Sequence, residues 1–279
     1  MYCQNTFMVK RDGEAPVAAP CGKCIHCYKR NISQWSFRLM QEEKHSISSS
    51  FITLTYDPVH LPIGKVSKRM ELRKNDLQKF LKRLRDHHQR KPFISKDKRT
   101  KPIKYYCVGE YGATTARPHY HAIVFNCDIE LISKAWTQGS IYYGDVSFAS
   151  VGYVLKYLNK NNKLHRSDPR PQPFRLSSIG LGLDYLTPEM IAWHKADIPN
   201  RYYCQAPGNI KLSMPRYYKQ KIYTDDERLL ASTVNREKLL VKQLENEMRK
   251  LKMGVKNHVA SHYYASQRQL HYLHQKSFL

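Results

Sequence analysis

The sequence predicts an α+β protein in which short β-strands alternate with amphipathic helices. Alternating apolar residues, many of them β-branched or aromatic, indicate strands at 51–57, 103–112, 119–125 and 141–146. Apolar residues at steps of three and four indicate helices at 31–44, 75–85, 129–138, 148–161 and 224–252. The short connection between 103–112 and 119–125 favours an antiparallel pair.

The charge of the chain indicates a polyanionic partner. Its 279 residues include 47 Lys and Arg against 23 Asp and Glu, a formal net charge of +24. A basic surface binds nucleic acid through counterion release, almost regardless of base sequence. The 20 tyrosines, interleaved with basic residues, also suit stacking on single-stranded bases. Without an apolar run long enough for a bilayer or an N-terminal signal, we expect a soluble, cytoplasmic protein that binds no membrane.

The first thirty residues lack clear periodicity but contain a C-x2-C-x2-C run of Cys21, Cys24 and Cys27. Zinc takes four nitrogen or sulfur ligands, and C-x2-C is a frequent half-site. A structural zinc ion would need a fourth ligand, either Cys3 or His26. Alternatively, the segment is a reduced basic arm whose thiols are only small apolar groups. Seven cysteines without a secretory signal argue against a disulfide framework.

The next elements are a helix, a strand and a second helix. Ile32, Trp35 and Leu39 anchor the helix at 31–44, and a Ser-rich break separates it from the strand Phe51–Asp57. After the basic loop at 61–74, Asn75 begins a helix with one apolar stripe and a positive outer face. The stripe contains Leu77, Phe80, Leu81 and Leu84.

A pair of histidines, His119 and His121, begins the strand after Arg117. Residues i and i+2 of a strand point to the same face, so the two imidazoles lie side by side. Neutral imidazole is the commonest metal ligand, and the pair therefore predicts half of a metal site. Glu110 ends the preceding strand, close to both histidines if the strands are antiparallel. Its carboxylate is either the third ligand of a divalent cation or an ordinary exposed acid at a strand end.

The helix at 148–161 has two chemically different faces at about 100° per residue. Its apolar face contains Val151, Val154, Leu155 and Leu158. Its opposite face contains Tyr153, Lys156, Tyr157 and Lys160. Each tyrosine is thus followed three residues later by a lysine, a more specific pattern than a lone tyrosine.

This tyrosine face fits covalent attack on a phosphodiester. A tyrosine hydroxyl has a pKa of about 10 and is a weak nucleophile at neutral pH. A neighbouring ammonium favours the phenolate and offsets charge on the phosphate. A divalent cation held by the histidines would polarise the phosphate. The products would be a 5′-phosphotyrosyl link and a free 3′-hydroxyl, and the strand could be rejoined because no water is consumed.

Together these motifs resemble the HUH-type rolling-circle replication initiators, most closely those of microviruses, the gokushovirus-like single-stranded DNA phages. The matching residues are Phe51–Tyr56, Gly109–Gly112, Arg117–His121 and the doubled Y-x-x-K of Tyr153–Lys160. One departure is Tyr120, which replaces the usual aliphatic residue between the histidines; we expect its side chain to be buried or stacked.

The resemblance implies a central antiparallel sheet of about five strands flanked by helices, an RRM/ferredoxin-like palm. His119 and His121 would lie on a middle strand, with the tyrosine helix packed across it. Implied metal ligands are His119, His121 and Glu110, holding Mg²⁺ or Mn²⁺, and implied catalytic residues are Tyr153, Tyr157, Lys156 and Lys160.

The resemblance also implies partners and a place of action. The substrates would be single-stranded DNA and phage origin DNA, which the chain nicks and later rejoins in the cytoplasm of the bacterial host. The sequence contains no G-x-x-x-x-G-K-[ST] loop for ATP-driven unwinding. A host helicase and a host DNA polymerase are therefore the expected partners.

We expect four regions along the chain. Residues 1–48 form a Cys-containing N-terminal arm and helix, and residues 49–165 form the HUH endonuclease core. Residues 166–223 form a basic Pro- and Gly-containing extension, and residues 224–279 form a helical basic C-terminal region. The helix at 224–252 suits packing, a short coiled coil or a DNA-binding arm.

Two other functions remain open from the residues alone. A non-catalytic basic nucleic-acid-binding protein would use the histidines structurally and the tyrosines for base stacking. A metal-dependent hydrolytic nuclease would use water as its nucleophile and would need no tyrosine.

Overall fold

The computed structural model describes residues 3, 5–10, 16–90, 101–157 and 164–252. The chain divides into two compact units, residues 32–185 and residues 1–31 together with 186–279. The strands are β1 Phe7–Val9, β2 Val17–Ala19, β3 Ser49–Thr55, β4 Lys104–Tyr111, β5 Pro118–Phe125, β6 Ile141–Gly144, β7 Phe174–Ser177, β8 Tyr203–Ala206 and β9 Ile210–Ser213. The helices are α1 Ile25–His45, α2 Lys74–Arg90, α3 Ile129–Ala135, α4 Phe148–Tyr157, α5 Pro188–Ala196, α6 Arg216–Ile222 and α7 Asp225–Lys252.

The unit of residues 32–185 contains a five-stranded antiparallel sheet. Its strand order is β6-β3-β5-β4-β7, so β5 is the central strand, flanked by β3 and β4. A tight turn joins β4 to β5, in which the Gly112 N–H donates to the Arg117 carbonyl oxygen at 2.9 Å. The predicted α+β fold, with a central antiparallel sheet of about five strands flanked by helices, is confirmed.

One face of the sheet is covered by α2 and α3. Tyr120, Ala122 and Val124 alternate along β5, point to this face and are buried. They belong to one apolar cluster with residues from both helices. The helical residues are Leu77, Phe80, Leu81, Leu84, Leu131 and Ile132. The apolar stripe predicted for α2 is confirmed, as is the burial of Tyr120.

The opposite face of the sheet packs against α1 and α4. Ile123 and Phe125 of β5 cluster there with Leu39 of α1 and with the apolar side of α4. The described α4 members of this cluster are Val151, Val154 and Leu155. Because side chains alternate along a strand, His119 and His121 share this second face. The packing of α4 therefore brings its other side next to the histidine end of β5.

Three features differ from the sequence predictions. Helix α1 begins at Ile25, not at residue 31, because the backbone carbonyl of Cys24 already accepts the N–H of Tyr28 at 2.9 Å. Its first turn has no acidic residue that would have marked this start. Strand β7 was not predicted. It is only four residues long and follows a Pro-rich stretch, so its pattern is too short to separate from a loop.

In the unit of residues 1–31 and 186–279, two small hairpins accompany the helices. β1 pairs with β2 and β8 pairs with β9, both antiparallel. Helix α7 confirms the helix predicted at 224–252. Its start is capped reciprocally, because the Thr224 N–H donates to Glu227 and the Glu227 N–H donates to the Thr224 hydroxyl.

Several apolar residues of α7 are exposed in the described structure. They are Leu229, Leu230, Leu240, Val241, Leu244 and Met248. The rest of the predicted C-terminal region, from residue 253 onward, lies outside the described residues. Among the helices that the structure describes, none combines the length and the apolar character needed to cross a bilayer.

Candidate metal centre and tyrosine helix

The sheet register brings three predicted metal ligands together. Glu110 of β4 pairs directly with His119 of β5. Oε1 of Glu110 lies 2.8 Å from Nε2 of His119 and 3.2 Å from Nε2 of His121. One donor atom from each of the three residues lies within 4.8 Å of the other two. Glu110 is only 3% exposed, so it is not an ordinary exposed acid at a strand end.

The backbone fixes the orientation of the His119 ring. Its Nδ1 lies 3.1 Å from the carbonyl oxygen of Arg117, and a carbonyl oxygen only accepts hydrogen bonds. Nδ1 of His119 therefore carries the proton in this contact. In the neutral imidazole, the Nε2 lone pair then points towards the Glu110 carboxylate. A backbone partner of this kind is typical of metal-bound histidines.

His121 is held by two residues of β3. Its Nδ1 lies 2.9 Å from the Thr53 hydroxyl, because Thr53 and His121 are opposite each other in the β3–β5 register. The ring of Phe51 stacks on the His121 ring with a centroid distance of 6.0 Å and an interplanar angle of 11°. Burial lowers the pKa of His121 below its ordinary value, which favours the neutral form that binds metals.

Glu110 has the opposite charge preference. Burial alone would raise the pKa of its carboxyl, but hydrogen bonds and charge interactions with His119 and His121 bring the pKa below its ordinary value. The carboxylate form is therefore favoured. Its second oxygen, Oε2, is buried and has no hydrogen-bond partner within the described part of the chain.

These observations test whether the three residues suit a divalent cation. An Nε2 lone pair and a carboxylate oxygen 2.8 Å apart repel each other unless a proton or a cation offsets their charge. The buried Oε2 of Glu110 also lacks a donor among the described residues. Two neutral imidazoles and one ionised carboxylate make a donor set that suits divalent metals. The residues present therefore fit the cation that the sequence predicted.

Helix α4 places Tyr153 beside this cluster. Its ring centroid is 5.3 Å from that of His121, with the two planes at 85°. A second edge contact joins Tyr153 to Phe51, at 6.1 Å between centroids. Tyr153 is 43% exposed, whereas Val154 and Leu155 are fully buried, so the two predicted faces of the helix are real at these positions.

The other predicted residues of the tyrosine face are described less fully. Lys156 and Tyr157 belong to α4, but their side chains lie outside the described part of the structure. Lys160 lies wholly outside the described residues. Their predicted roles therefore stay predictions.

Sequence reasoning missed the residues that hold the histidines. Thr53 and Phe51 lie in a strand that was predicted, but the prediction did not include its pairing with β5. The predicted direction of alternating side chains would have placed Thr53 beside His121 once that pairing was known. The contribution of Arg117 comes from its backbone carbonyl, for which no side-chain pattern exists.

The second group of candidate ligands lies in the other unit. It is the N-terminal cysteine cluster, formed by Cys3, Cys21, Cys24 and Cys27. Hydrogen bonds from the backbone N–H groups of Lys23 and Cys24 lower the pKa of Cys21 to about 6. The three cysteines of the C-x2-C-x2-C run are thus joined by Cys3. Within the described residues, His26 is not part of this group.

Comparison with known proteins identifies the group to which the chain belongs. The family described as replication-associated protein ORF2 matches residues 49–162, which include all of the predicted catalytic and metal-binding residues. Replication-associated protein VP4 of Bdellovibrio phage phiMH2K is 30% identical over 74% of this chain and 67% of its own length. Replication-associated protein ORF2 of Spiroplasma virus 4 is 27% identical over 74% of this chain and 68% of its own length.

A third relative, replication-associated protein ORF4 of Chlamydia phage 1, is 25% identical over 60% of this chain and 45% of its own length. No solved structure matches the chain. The relatives and the matched residues place the chain among phage replication-associated proteins. It belongs to the ORF2 family of replication-associated proteins.

Proposed function

We propose that this chain initiates rolling-circle replication by nicking single-stranded origin DNA through a tyrosine, and that it later rejoins the strand. The observation that carries the proposal is the position of Tyr153, whose ring contacts that of His121 at a centroid distance of 5.3 Å. A nucleophile and an electrophilic centre on the same face of one sheet are the two halves that such a reaction needs. Membership in a family of phage replication-associated proteins supports the same reaction.

His119, His121 and Glu110 would hold the divalent cation, Mg²⁺ or Mn²⁺. When bound, the cation would supply Lewis-acid polarisation of the scissile phosphate. The chain prepares these ligands itself, since the Arg117 carbonyl orients His119 and the Thr53 hydroxyl contacts His121. This support keeps the donor atoms in place before DNA arrives.

The bond changes in the nicking step balance without water. The tyrosine hydroxyl oxygen attacks phosphorus, and the bond between phosphorus and the 3′ oxygen breaks. The tyrosine loses its proton, and the leaving 3′ oxygen gains one. The result is a 5′-phosphotyrosyl link and a free 3′-hydroxyl, which a host polymerase can extend. Reversal of the same step with a new 3′-hydroxyl rejoins the DNA.

The lysines at 156 and 160 would assist each tyrosine through charge. They follow Tyr153 and Tyr157 by three residues, a spacing that places them on the same side of a helix. An ammonium near the phenol favours its deprotonated form and offsets charge on the phosphate. Because Tyr157 follows Tyr153 by one helical turn, it could cut a second time while the first link still holds the DNA.

The remaining surface would serve DNA binding. The net charge of +24 would hold single-stranded DNA, largely without base specificity. Unwinding ahead of the new strand is assigned to a host helicase, and the reaction to the cytoplasm of the host bacterium.

The experiment uses single-stranded fragments that tile the genome encoding this chain, incubated with the full-length protein and Mn²⁺. A label at the 3′ end follows the covalent adduct, and a label at the 5′ end follows the released 3′-hydroxyl strand. We expect the first label to migrate with the protein on a denaturing gel. We expect a polymerase to extend the second.

Three variants assign the nucleophile. Tyr153→Phe and Tyr157→Phe together should abolish the adduct, and each alone shows which tyrosine attacks first. Tyr105→Phe is a matched control, because Tyr105 lies on the opposite face of the sheet and its change should leave the adduct intact. An adduct that persists in the double variant would overturn the tyrosine mechanism. Cut product without any adduct would indicate a hydrolytic nuclease, and binding without cutting would indicate a non-catalytic binding protein.

A further inference from the structure

The N-terminal cysteine cluster is brought together by a hairpin and a helix start. In the β1–β2 hairpin, Phe7 pairs with Ala19, so the chain before Phe7 runs alongside the chain after Ala19. Cys3 thereby reaches Cys21, whose backbone N–H donates to the Cys3 sulfur at 3.1 Å. The other two cysteines lie at the start of α1. This arrangement gathers sulfurs from distant points in the chain without a disulfide among the described cysteines.

The spacing of the four sulfurs matches one metal ion. All four Sγ atoms lie within 4.8 Å of one another, and the sulfurs of Cys3 and Cys24 are 3.9 Å apart. A tetrahedral zinc ion with Zn–S bonds of about 2.3 Å requires sulfurs about 3.8 Å apart. A four-iron cluster would attach each cysteine to a different iron atom and spread the sulfurs further. A disulfide would bring two sulfurs to about 2.05 Å and leave the other two without a role.

The surroundings favour thiolates at this position. The Cys21 sulfur accepts the backbone N–H groups of Lys23 at 3.4 Å and of Cys24 at 3.3 Å. The left-handed conformation of Gly22, with φ of 71°, allows the tight turn that points these groups at the sulfur. Short N–H donors to ligand atoms are typical of the shell around a metal site.

Positive charge on the other side balances the site. Nη2 of Arg30 lies 3.5 Å from the Cys27 sulfur. Cys27 is also in the first turn of α1, where the partial positive charge of the helix favours anions, and no acidic side chain opposes it there. Four thiolates around Zn²⁺ carry a net charge of −2, and each thiol releases its proton to solvent on binding.

We propose that the N-terminal cysteine cluster binds one structural zinc ion in a tetrahedral four-sulfur site. The ion joins the β1–β2 hairpin to the first turn of α1. Four protein ligands leave no open position for substrate, so the site is structural and not catalytic. This site is separate from the histidine centre and does not depend on the proposed nicking reaction.

The first test is the metal content of the purified full-length protein, measured by elemental analysis. We expect about one zinc per chain, retained during dialysis against a weak chelator. Changing Cys21→Ser and Cys24→Ser together should reduce zinc by at least tenfold. Cys204→Ala is a matched control, because Cys204 is a buried cysteine of the same unit outside the cluster, and its change should leave the zinc content unaltered.

A second control separates the two metal sites. The variant with His119→Ala and His121→Ala should lose nicking but keep its zinc. Loss of zinc from this variant, with zinc retained in the cysteine variant, would assign the metal to the histidine centre and overturn the proposal. Protein without zinc, or protein that contains iron instead, would also overturn it.

The wild-type protein provides a test that does not depend on the folding of any variant. Replacement of zinc by Co²⁺ should give the intense visible bands of tetrahedral cobalt with thiolate–cobalt charge transfer. Titration with a mercurial reagent, which blocks thiols, should release one zinc per chain as the four thiolates react. Octahedral cobalt spectra, or zinc release without thiol reaction, would contradict the four-sulfur site.

Discussion

Thr53 is predicted to position a metal ligand, and the variant Thr53→Val tests this role. Its hydroxyl lies 2.9 Å from Nδ1 of His121, opposite it in the sheet. Valine keeps the β-branched shape that suits a strand but removes the hydroxyl. The change therefore removes one hydrogen bond with little disturbance to the backbone.

The size of the effect follows from the burial of His121, which is only 3% exposed. Loss of a hydrogen-bond partner at a buried polar group costs about 1–3 kcal/mol. Removal of a group that orients a metal ligand typically weakens metal binding about 10- to 100-fold. A tenfold change corresponds to about 1.4 kcal/mol, so the two ranges agree. We expect Mn²⁺ affinity to fall about 10- to 100-fold.

The assay is calorimetric titration of Mn²⁺ together with the nicking rate at limiting and at excess Mn²⁺. Excess Mn²⁺ should restore part of the rate, because the variant keeps all three ligands. Thr55→Val is a matched control on the same strand and face, since the Thr55 hydroxyl donates to the Ser140 carbonyl oxygen at 3.3 Å and not to a histidine. Unchanged Mn²⁺ affinity in Thr53→Val, or an equal loss in both variants, would refute the positioning role.

Three further predictions concern stability. Gly139→Ala should lower the free energy of unfolding by at least about 1–3 kcal/mol in urea, because φ is +153° and an added Cβ would lie 2.2 Å from the Thr55 carbonyl oxygen; a change below about 0.5 kcal/mol would contradict this. Gly152→Ala should instead raise it by about 0.5–1 kcal/mol, since no atom lies within 4 Å of the added Cβ in α4, and a loss of stability would count against the described helix. Burial lowers the pKa of His194, whose Nδ1–H donates to the Arg201 carbonyl at 2.7 Å, so its stabilising contribution is present above about pH 6.5 and is lost as the pH falls. The melting temperature should therefore fall more between pH 7.5 and 5.5 in the wild type than in His194→Asn, and parallel curves would exclude this contribution.

Local periodicity was sufficient to predict the two halves of the candidate site. The i, i+2 spacing of His119 and His121 depends only on the alternation of a strand. The separation of Tyr153 from Val154 and Leu155 depends only on the helical repeat. Both features are set by neighbouring residues, and the structure reproduces both.

Features that depend on long-range pairing were not predictable in the same way. Thr53 and His121 are 68 residues apart, and their contact requires β3 to pair with β5 in one register. Cys3 joins the cysteine run through a hairpin whose strands are only three residues long. Such short strands give too little alternation to recognise, so the choice between Cys3 and His26 stayed open. Strand β7 was missed for the same reason.

The most direct test of the central claim is to identify the residue that carries DNA in the covalent adduct. Trypsin cleaves after Lys134, Lys156 and Lys160, so Tyr153 and Tyr157 fall on different peptides. After reaction with Mn²⁺ and origin DNA, nuclease trimming and mass spectrometry, we predict a nucleotide on the peptide 135–156 or on the peptide 157–160, attached to one of these two tyrosines. DNA attached elsewhere, or cleaved DNA with both peptides unmodified, would contradict the account.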